Sequence, residues 1–150
     1  SLCIGHKGLA LGQALDLEYE NKKLSKNIIL DMYSRKTGKL FEFSFSAPFI
    51  LKDKSRIDIQ FAKDFGMLFG LIFQIIDDLI DEIGTFKKIG KTPGKDVEQG
   101  KSTLLKLIGE KQVTDLCNNK INTFIKKYKN KIDQNPILIK MLKYGMDRLN

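Results

Sequence analysis

Apolar residues recur every three or four positions through most of this chain, the spacing that puts them on one face of an α-helix. The pattern predicts helices over residues 9–19, from a capping Ser25 through Tyr33, over 58–83, over about 110–131 and over 136–148. A further helix is expected to begin at a capping Ser102 and to run to Ile108. Because we find no internal repeat and no strand–turn–strand signal, the predicted fold class is an all-α, multi-helix bundle.

Two stretches fit the helical pattern less well. Residues 40–45 alternate apolar and polar side chains, so a β-strand competes with a helix there. Gly38 is expected to interrupt the helix that follows Ser25, and Pro48 is expected to mark a bend or a boundary. Glycine and proline recur between residues 84 and 100, which predicts a loop.

Composition and charge narrow the class of protein. A chain of 150 residues predicts one domain, and its net charge of +8 suits nucleic acid, anionic membranes or phosphorylated substrates as partners. The lysines after Asn118 are predicted to form a solvated helix face, and the aromatic residues do not alternate with basic ones as a nucleic-acid stacking platform would require. No apolar run reaches the roughly 18 residues of a membrane span, so none is predicted.

The cysteines suggest a cellular compartment for the protein, and its first residues suggest that a longer chain is expected. Cys3 and Cys117 are the only cysteines and no export signal precedes them, which favours a reducing cytoplasm and no disulfide. The first residues begin in the middle of a helical pattern without a start signal, so we expect a piece of a longer protein.

Four acidic side chains follow the apolar segment 65–76 within six positions. On a helix, Asp77 and Asp81 lie one turn apart on one face, Asp78 lies about 100° round from Asp77, and Gln74 lies one turn earlier. Like charges repel at this spacing, and the carboxyl end of a helix already carries partial negative charge. A bound Mg²⁺, which uses one or two carboxylates together with substrate phosphates, would offset both effects. The plainer alternative is a solvated acidic helix end.

Basic and glycine-rich segments lie around this acidic cluster in the sequence. The segment 90–103 contains Lys91 and Lys101 among glycines, which suits phosphate binding, although an ordinary flexible loop explains it equally well in isolation. It lacks the first glycine of a P-loop and no strand precedes it, so we reject that motif. Lys36 and Thr37 precede Gly38, where a helix end is the simple explanation.

Four segments together resemble the trans-prenyl diphosphate synthases of the farnesyl or geranylgeranyl type. They are GQALDLEYE, RKTGKL, GLIFQIIDDLIDEIG and GKTPGKDVEQGKST, which occur in the order of the family. The resemblance as a whole spans residues 5–110. The resemblance implies an isoprenoid synthase fold, of which residues 1–150 would be the carboxyl-terminal half. The family's first aspartate-rich motif has no counterpart here, which implies that the upstream half is absent.

The resemblance also implies roles for individual residues. Asp77, Asp78 and Asp81 match the family's second aspartate-rich motif, which binds Mg²⁺ on an allylic diphosphate. Lys36, Lys91 and Lys101 match lysines near that diphosphate, and the polar residues expected to line the same cavity are Gln13, Asp16, Thr37 and Gln74. Asp77, Lys36 and Lys91 are the residues to which a catalytic role is assigned.

The implied reaction joins an allylic diphosphate to isopentenyl diphosphate with Mg²⁺ and releases pyrophosphate. A homodimer, or pairing with the missing amino-terminal half, is expected, and the isolated chain is expected to be inactive. One alternative is a non-catalytic partner subunit of an active prenyl synthase. A basic nucleic-acid-binding module is a further alternative. The preferred interpretation, a prenyltransferase, predicts that no nucleic acid binds.

Overall fold

The computed structural model describes residues 3–83 and 101–147. These residues form α-helices and one π-helical turn, Ser34–Gly38, without any strand. The α-helices are α1 (Leu9–Glu18), α2 (Lys26–Tyr33), α3 (Lys39–Leu51), α4 (Arg56–Ile83), α5 (Leu104–Lys127), α6 (Lys129–Gln134) and α7 (Ile137–Asp147). The predicted all-α class is therefore confirmed.

The sequence predicted that the helix after Ser25 is interrupted at Gly38, but the helical path continues through this residue. It widens into the π-helical turn and continues as α3, so the strand considered for residues 40–45 was wrong. Pro48, expected at a boundary, lies inside α3 and only three residues before its end. The carbonyl group that its missing N–H leaves without a helical partner belongs to Ser44, an exposed residue.

Glycines allow α4 to approach the preceding helical segment closely. Gly38 is buried, and a Cβ atom added at Gly70 would lie 2.8 Å from the Gly38 Cα atom. One turn earlier on α4, a Cβ atom at Gly66 would lie 2.7 Å from the carbonyl carbon of Phe41. Both distances are too short for any side chain. The glycine at position 38 therefore serves backbone packing and does not end the helix.

The helix α5 begins one residue later than the sequence predicted. Thr103, not Ser102, occupies the N-cap, and its hydroxyl group accepts a hydrogen bond from the Lys106 N–H at 3.3 Å. The hydroxyl of Ser102 instead donates to the carbonyl group of Lys22 at 2.6 Å. Gly109 breaks the regular path of α5 with a φ of 77° and a ψ of 160°.

The core forms around α4. Residues 65–76 are apolar on every side, a pattern that predicts burial on all faces. Phe65, Ile75 and Leu79 are buried on this helix, but Phe73 is 45% exposed, so that prediction is wrong. By length and composition alone, Arg56–Glu82 could cross a membrane, although no membrane span was predicted from the sequence. About half of its apolar window, 56%, is buried within the fold, as in the core helix of a soluble protein, so it is weak support for a membrane span.

Two of the lysines after Asn118, which were predicted to form a solvated helix face, make ion pairs with α4. Lys127 lies 2.7 Å from Asp64, which also accepts a hydrogen bond from the Tyr128 hydroxyl at 2.6 Å. Lys131 pairs with Asp58 near the start of α4. Part of the basic charge is therefore balanced within the fold.

The two cysteines should differ in reactivity. Cys117 is 1% exposed, and burial raises the pKa of its thiol to about 11, whereas Cys3 is partly exposed. Because the thiolate is the reactive form, we expect a disulfide reagent at pH 8 to modify Cys3 and to spare Cys117 in the native chain. Peptide mapping by mass spectrometry checks this. Equal modification of both before unfolding would contradict the burial of Cys117.

Candidate active site

The π-helical turn Ser34–Gly38 carries two of the predicted site residues, Lys36 and Thr37. Turns of this kind insert one extra residue into a helix and are frequent at functional sites. The ammonium group of Lys36 lies 2.5 Å from the carboxylate of Asp16 on α1, and both side chains are mostly buried. The turn therefore presents a lysine whose position is fixed by a carboxylate from a neighbouring helix.

A chain of hydrogen bonds links the π-helical turn to the acidic end of α4. The Thr37 hydroxyl donates to the Gln74 side-chain oxygen at 2.6 Å, and the Gln74 amide donates to Asp78 Oδ1 at 3.0 Å. The Tyr33 hydroxyl donates to Asp78 Oδ2 and accepts a hydrogen bond from the Leu104 N–H at 3.3 Å. Thr37 and Gln74, which the sequence placed in one cavity, are in direct contact.

Burial governs the protonation of two members of this chain. Burial, reinforced by the neighbouring Asp78 carboxylate, raises the pKa of the Tyr33 hydroxyl far above its ordinary value. Burial also raises the pKa of Asp78 to about 6, although the hydrogen bonds from Tyr33 and Gln74 act in the opposite direction. Tyr33 is therefore a neutral donor at neutral pH, where Asp78 is ionised.

The raised pKa of Asp78 predicts how the stability of the metal-free chain depends on pH. The folded-state pKa of about 6 exceeds the ordinary aspartate pKa of 3.8, so the folded chain binds more protons than the unfolded chain between these values. This contribution to stability is complete below about pH 4 and is lost as the pH rises through 6. We expect the free energy of unfolding of wild type, relative to Asp78→Asn, to fall between pH 4 and pH 7. Urea unfolding with a chelator checks this, and a difference that does not vary with pH would contradict it.

Asp77 and Asp81 lie on the exposed side of the same helix end, while Asp78 is partly buried. Across residues 3–83 and 101–147, no three histidine, cysteine, aspartate or glutamate side chains lie close enough together to hold a metal ion by themselves. Mg²⁺ needs only one or two protein carboxylates when substrate phosphates and water complete its shell. Two accessible carboxylates one turn apart fit that requirement, so the residues present suit Mg²⁺.

The other residues that the resemblance assigned to the site are Gln13, Lys101 and Lys91. Gln13 is exposed on α1, on the helix that also carries Asp16. Lys101 precedes α5 and its carbonyl group accepts a hydrogen bond from the Lys106 ammonium group at 3.0 Å. Lys91 lies outside the described residues, as does the predicted loop over 84–100.

Sequence reasoning missed two residues of the site. Tyr33 was considered only as an apolar helix residue, although it is 3% exposed and contacts Asp78, 45 positions along the chain. Thr103 caps α5 and also donates to Glu82 at 3.3 Å. The spacing of polar residues gave no signal for either contact, because each joins distant parts of the chain.

An apolar cavity of about 400 Å³ lies between α4 and α7. Phe69, Phe73 and Ile76 line it from α4, and Ile137 and Met141 line it from α7. Two of these residues are exposed, Phe73 by 45% and Ile137 by 59%. Phe69, Phe73 and Ile76 thus form one wall of an open apolar pocket.

The sequence model of one protein family, described as polyprenyl synthetase, matches residues 5–142 of this chain. This match covers the helix α1, the π-helical turn and the acidic end of α4 in a single alignment. The chain belongs to the polyprenyl synthetase family. The resemblance drawn from the four sequence segments is therefore confirmed at the level of the family.

Individual members of the polyprenyl synthetase family show the same relationship. The chain is 32% identical over 121 residues to a farnesyl diphosphate synthase of Micrococcus luteus, covering 81% of this chain and 42% of the relative. It is 37% identical over 115 residues to a farnesyl diphosphate synthase of Bacillus subtilis, covering 75% and 39%. The chain thus spans about two fifths of the length of these curated relatives.

Solved structures of the family agree with the fold. A geranyltranstransferase of Thermotoga maritima superposes with a TM-score of 0.65 at 33% identity, over 93% of this chain and 45% of that one. A geranyltransferase of Helicobacter pylori, solved with magnesium and isoprenyl diphosphate, gives a TM-score of 0.71 over 99% of this chain and 49% of that one. Its identity is 23%, so it supports the fold alone.

Proposed function

We propose that this chain supplies the metal- and diphosphate-binding half of a trans-prenyltransferase. The reaction would join an allylic diphosphate to isopentenyl diphosphate and release pyrophosphate. The observation that carries the proposal is the hydrogen-bonded contact between the π-helical turn and α4, from Thr37 through Gln74 to Asp78. It brings a lysine segment against a carboxylate-bearing helix end, which is the pairing that a metal-bound diphosphate requires.

Each side chain has a task in this reaction. Asp77 and Asp81 are the proposed Mg²⁺ ligands, with Asp78 as the third carboxylate of the motif. Lys36 would exchange its contact with Asp16 for the diphosphate, and Lys91 and Lys101 would add positive charge there. Bound Mg²⁺ would neutralise the negative charge that builds on the departing pyrophosphate.

The proposed bond changes require polar groups near the reacting carbon and apolar groups that exclude water. The allylic carbon–oxygen bond breaks with its electron pair on the leaving pyrophosphate, and the double bond of isopentenyl diphosphate attacks the cationic carbon. A proton is then lost to form the new double bond, and the released pyrophosphate would accept it. The side-chain oxygens of Thr37 and Gln74 are proposed to face the cationic carbon. Gln13 and Asp16 would line the same cavity, and Phe69, Phe73 and Ile76 would exclude water from the cation.

A direct experiment separates binding from catalysis. Isothermal titration of the chain with dimethylallyl diphosphate should show binding with Mg²⁺ and little binding with a chelator. Addition of isopentenyl diphosphate should release no pyrophosphate from this chain alone, whereas a longer protein that contains it together with the upstream half should be active. Absence of Mg²⁺-dependent binding, or inactivity of the longer protein, would overturn the proposal.

Assembly and location complete the proposal. We expect a homodimer, or an association with a chain that provides the upstream half, in the cytoplasm. The exposed apolar side chains Leu40, Phe43 and Phe73 are compatible with a covering partner. Sedimentation analysis with and without the upstream half checks the assembly, and a lone monomer in both cases would contradict it.

A further inference from the structure

The side chain of Tyr33 connects three parts of the site through one hydroxyl group. It ends α2 directly before the π-helical turn, donates to Asp78 on α4, and accepts from the Leu104 N–H at the start of α5. The residue is 3% exposed, so water does not compete for these hydrogen bonds. A buried tyrosine hydroxyl normally finds a partner, but this one holds two partners from different helices.

Two hydrogen bonds form successive rungs between the same pair of helical segments. Tyr33 and Thr37 are four residues apart on one segment, and their partners Asp78 and Gln74 are four apart on α4 in the opposite order. This is the arrangement of two antiparallel helices held at successive turns. Gln74 also donates to Asp78, which connects the rungs to each other.

The rungs join the two charged halves of the site. Lys36 lies between Tyr33 and Thr37 on one segment, and Asp77 lies between Gln74 and Asp78 on the other. A ligand with negative oxygens that bridges a metal to a lysine must span the gap between Lys36 and Asp77. The rungs on either side set that gap, because neither segment can slide or turn without breaking one of them.

We propose that Tyr33 is a positioning residue, whose hydroxyl group sets the spacing between Lys36 and the carboxylates of Asp77 and Asp81 for a metal-bound diphosphate. The inference rests on the proposed function and adds a residue that no motif of the sequence includes. In it, Asp78 acts mainly as the anchor for Tyr33 and Gln74, and the exposed Asp77 and Asp81 take the metal. The Leu104 contact extends the same control to the start of α5.

The chain contains a matched control for this proposal. Tyr128 also donates its hydroxyl group to an aspartate of α4, Asp64, at 2.6 Å. That pair lies fourteen residues before the Tyr33–Asp78 pair on the same helix. Tyr33→Phe and Tyr128→Phe therefore each remove one tyrosine–aspartate hydrogen bond, but the first joins the segment that carries Lys36 to the end of α4 that carries Asp77, and the second does not.

Calorimetric titration with Mg²⁺ and inorganic pyrophosphate tests the inference on the full chain. Tyr33→Phe should weaken binding about tenfold or more, in the range typical of residues that orient metal ligands. Tyr128→Phe should stay within about twofold of wild type, as a distant site does. Asp78→Asn keeps one oxygen that can accept from Gln74 and gains an NH2 group that can donate to the Tyr33 oxygen, so it should bind Mg²⁺–pyrophosphate more tightly than Asp77→Asn. Wild-type affinity in Tyr33→Phe, or equal losses in the two asparagine variants, would overturn the inference while leaving the proposed function intact.

A second readout separates failure of this inference from failure of the proposed function. Hydrogen exchange of the Leu104 amide in the metal-free chain should accelerate in Tyr33→Phe and remain unchanged in Tyr128→Phe, since it is the Tyr33 hydroxyl that accepts that N–H. If wild type bound no Mg²⁺–pyrophosphate, the proposed function would fail, and faster exchange at Leu104 would still support Tyr33 as the tie between these helices. Unchanged exchange at Leu104 would overturn that tie.

Discussion

Replacing Asp77 by alanine should reduce the Mg²⁺-dependent affinity of the chain for an allylic diphosphate by about 100-fold or more. Asp77 is exposed at the end of α4, one turn from Asp81, where a metal–diphosphate pair can reach it. Loss of residues that merely orient metal ligands already costs 10–100-fold in typical metal sites, and loss of a ligand itself should cost at least the upper value. Titration with dimethylallyl diphosphate at fixed Mg²⁺ measures the change.

A matched carboxylate distinguishes this effect from a general change in charge. Asp133 pairs with Lys129 on α6 in an exposed contact, so Asp133→Ala removes one negative charge away from the proposed site. Its diphosphate affinity should match wild type. In a longer protein containing the upstream half, Asp77→Ala should also abolish pyrophosphate release. A fully active Asp77→Ala protein would contradict this role of Asp77. An effect of the chain on a separate active synthase that Asp77→Ala leaves unchanged would instead favour the non-catalytic partner subunit considered from the sequence.

The acidic end of α4 was predictable because its signal is local. Crowded carboxylates after an apolar helical segment are unfavourable by themselves, and the spacing alone places Asp77 and Asp81 on one face. The long helix was likewise predicted within two residues at its start and correctly at its end. Both conclusions need only the period of a helix and the electrostatics of its terminus.

The features of the fold and the site that were not predicted depend on contacts between distant segments of the chain. Tyr33 and Asp78 lie 45 positions apart, and no periodic pattern connects them. The π-helical turn was missed because Gly38 usually indicates a helix end, whereas here the glycine is needed for close approach of Gly70. The exposure of Phe73 was not predicted, since a segment that is apolar all round carries no sign of which face meets solvent.

Gly12 shows how such a contact can support the site. A Cβ atom added at this position of α1 would lie 2.5 Å from the Lys36 Cα atom and 2.7 Å from the Arg35 carbonyl carbon. These are backbone atoms, which cannot rotate away as a side chain does. Glycine in a helix costs about 1 kcal/mol relative to alanine, so its use here indicates that the close approach of α1 to the π-helical turn outweighs that cost.

Gly12→Ala should therefore destabilise the chain by about 3 kcal/mol, near the upper end for overpacking, although alanine favours the helix. It should also weaken Mg²⁺–pyrophosphate binding, because the turn that carries Lys36 must move away from α1 and from its partner Asp16. Urea unfolding and calorimetry measure the two effects.

Gly109→Ala is the control for Gly12→Ala. Nothing lies within 4 Å of a Cβ atom at Gly109, but its φ of 77° is unfavourable for alanine, so this variant should lose about 1–3 kcal/mol through backbone strain. Its pyrophosphate affinity should remain that of wild type, because α5 is strained there without any displacement of Lys36. If Gly12→Ala retained both stability and affinity, the packing of α1 against the turn would not be what positions Lys36.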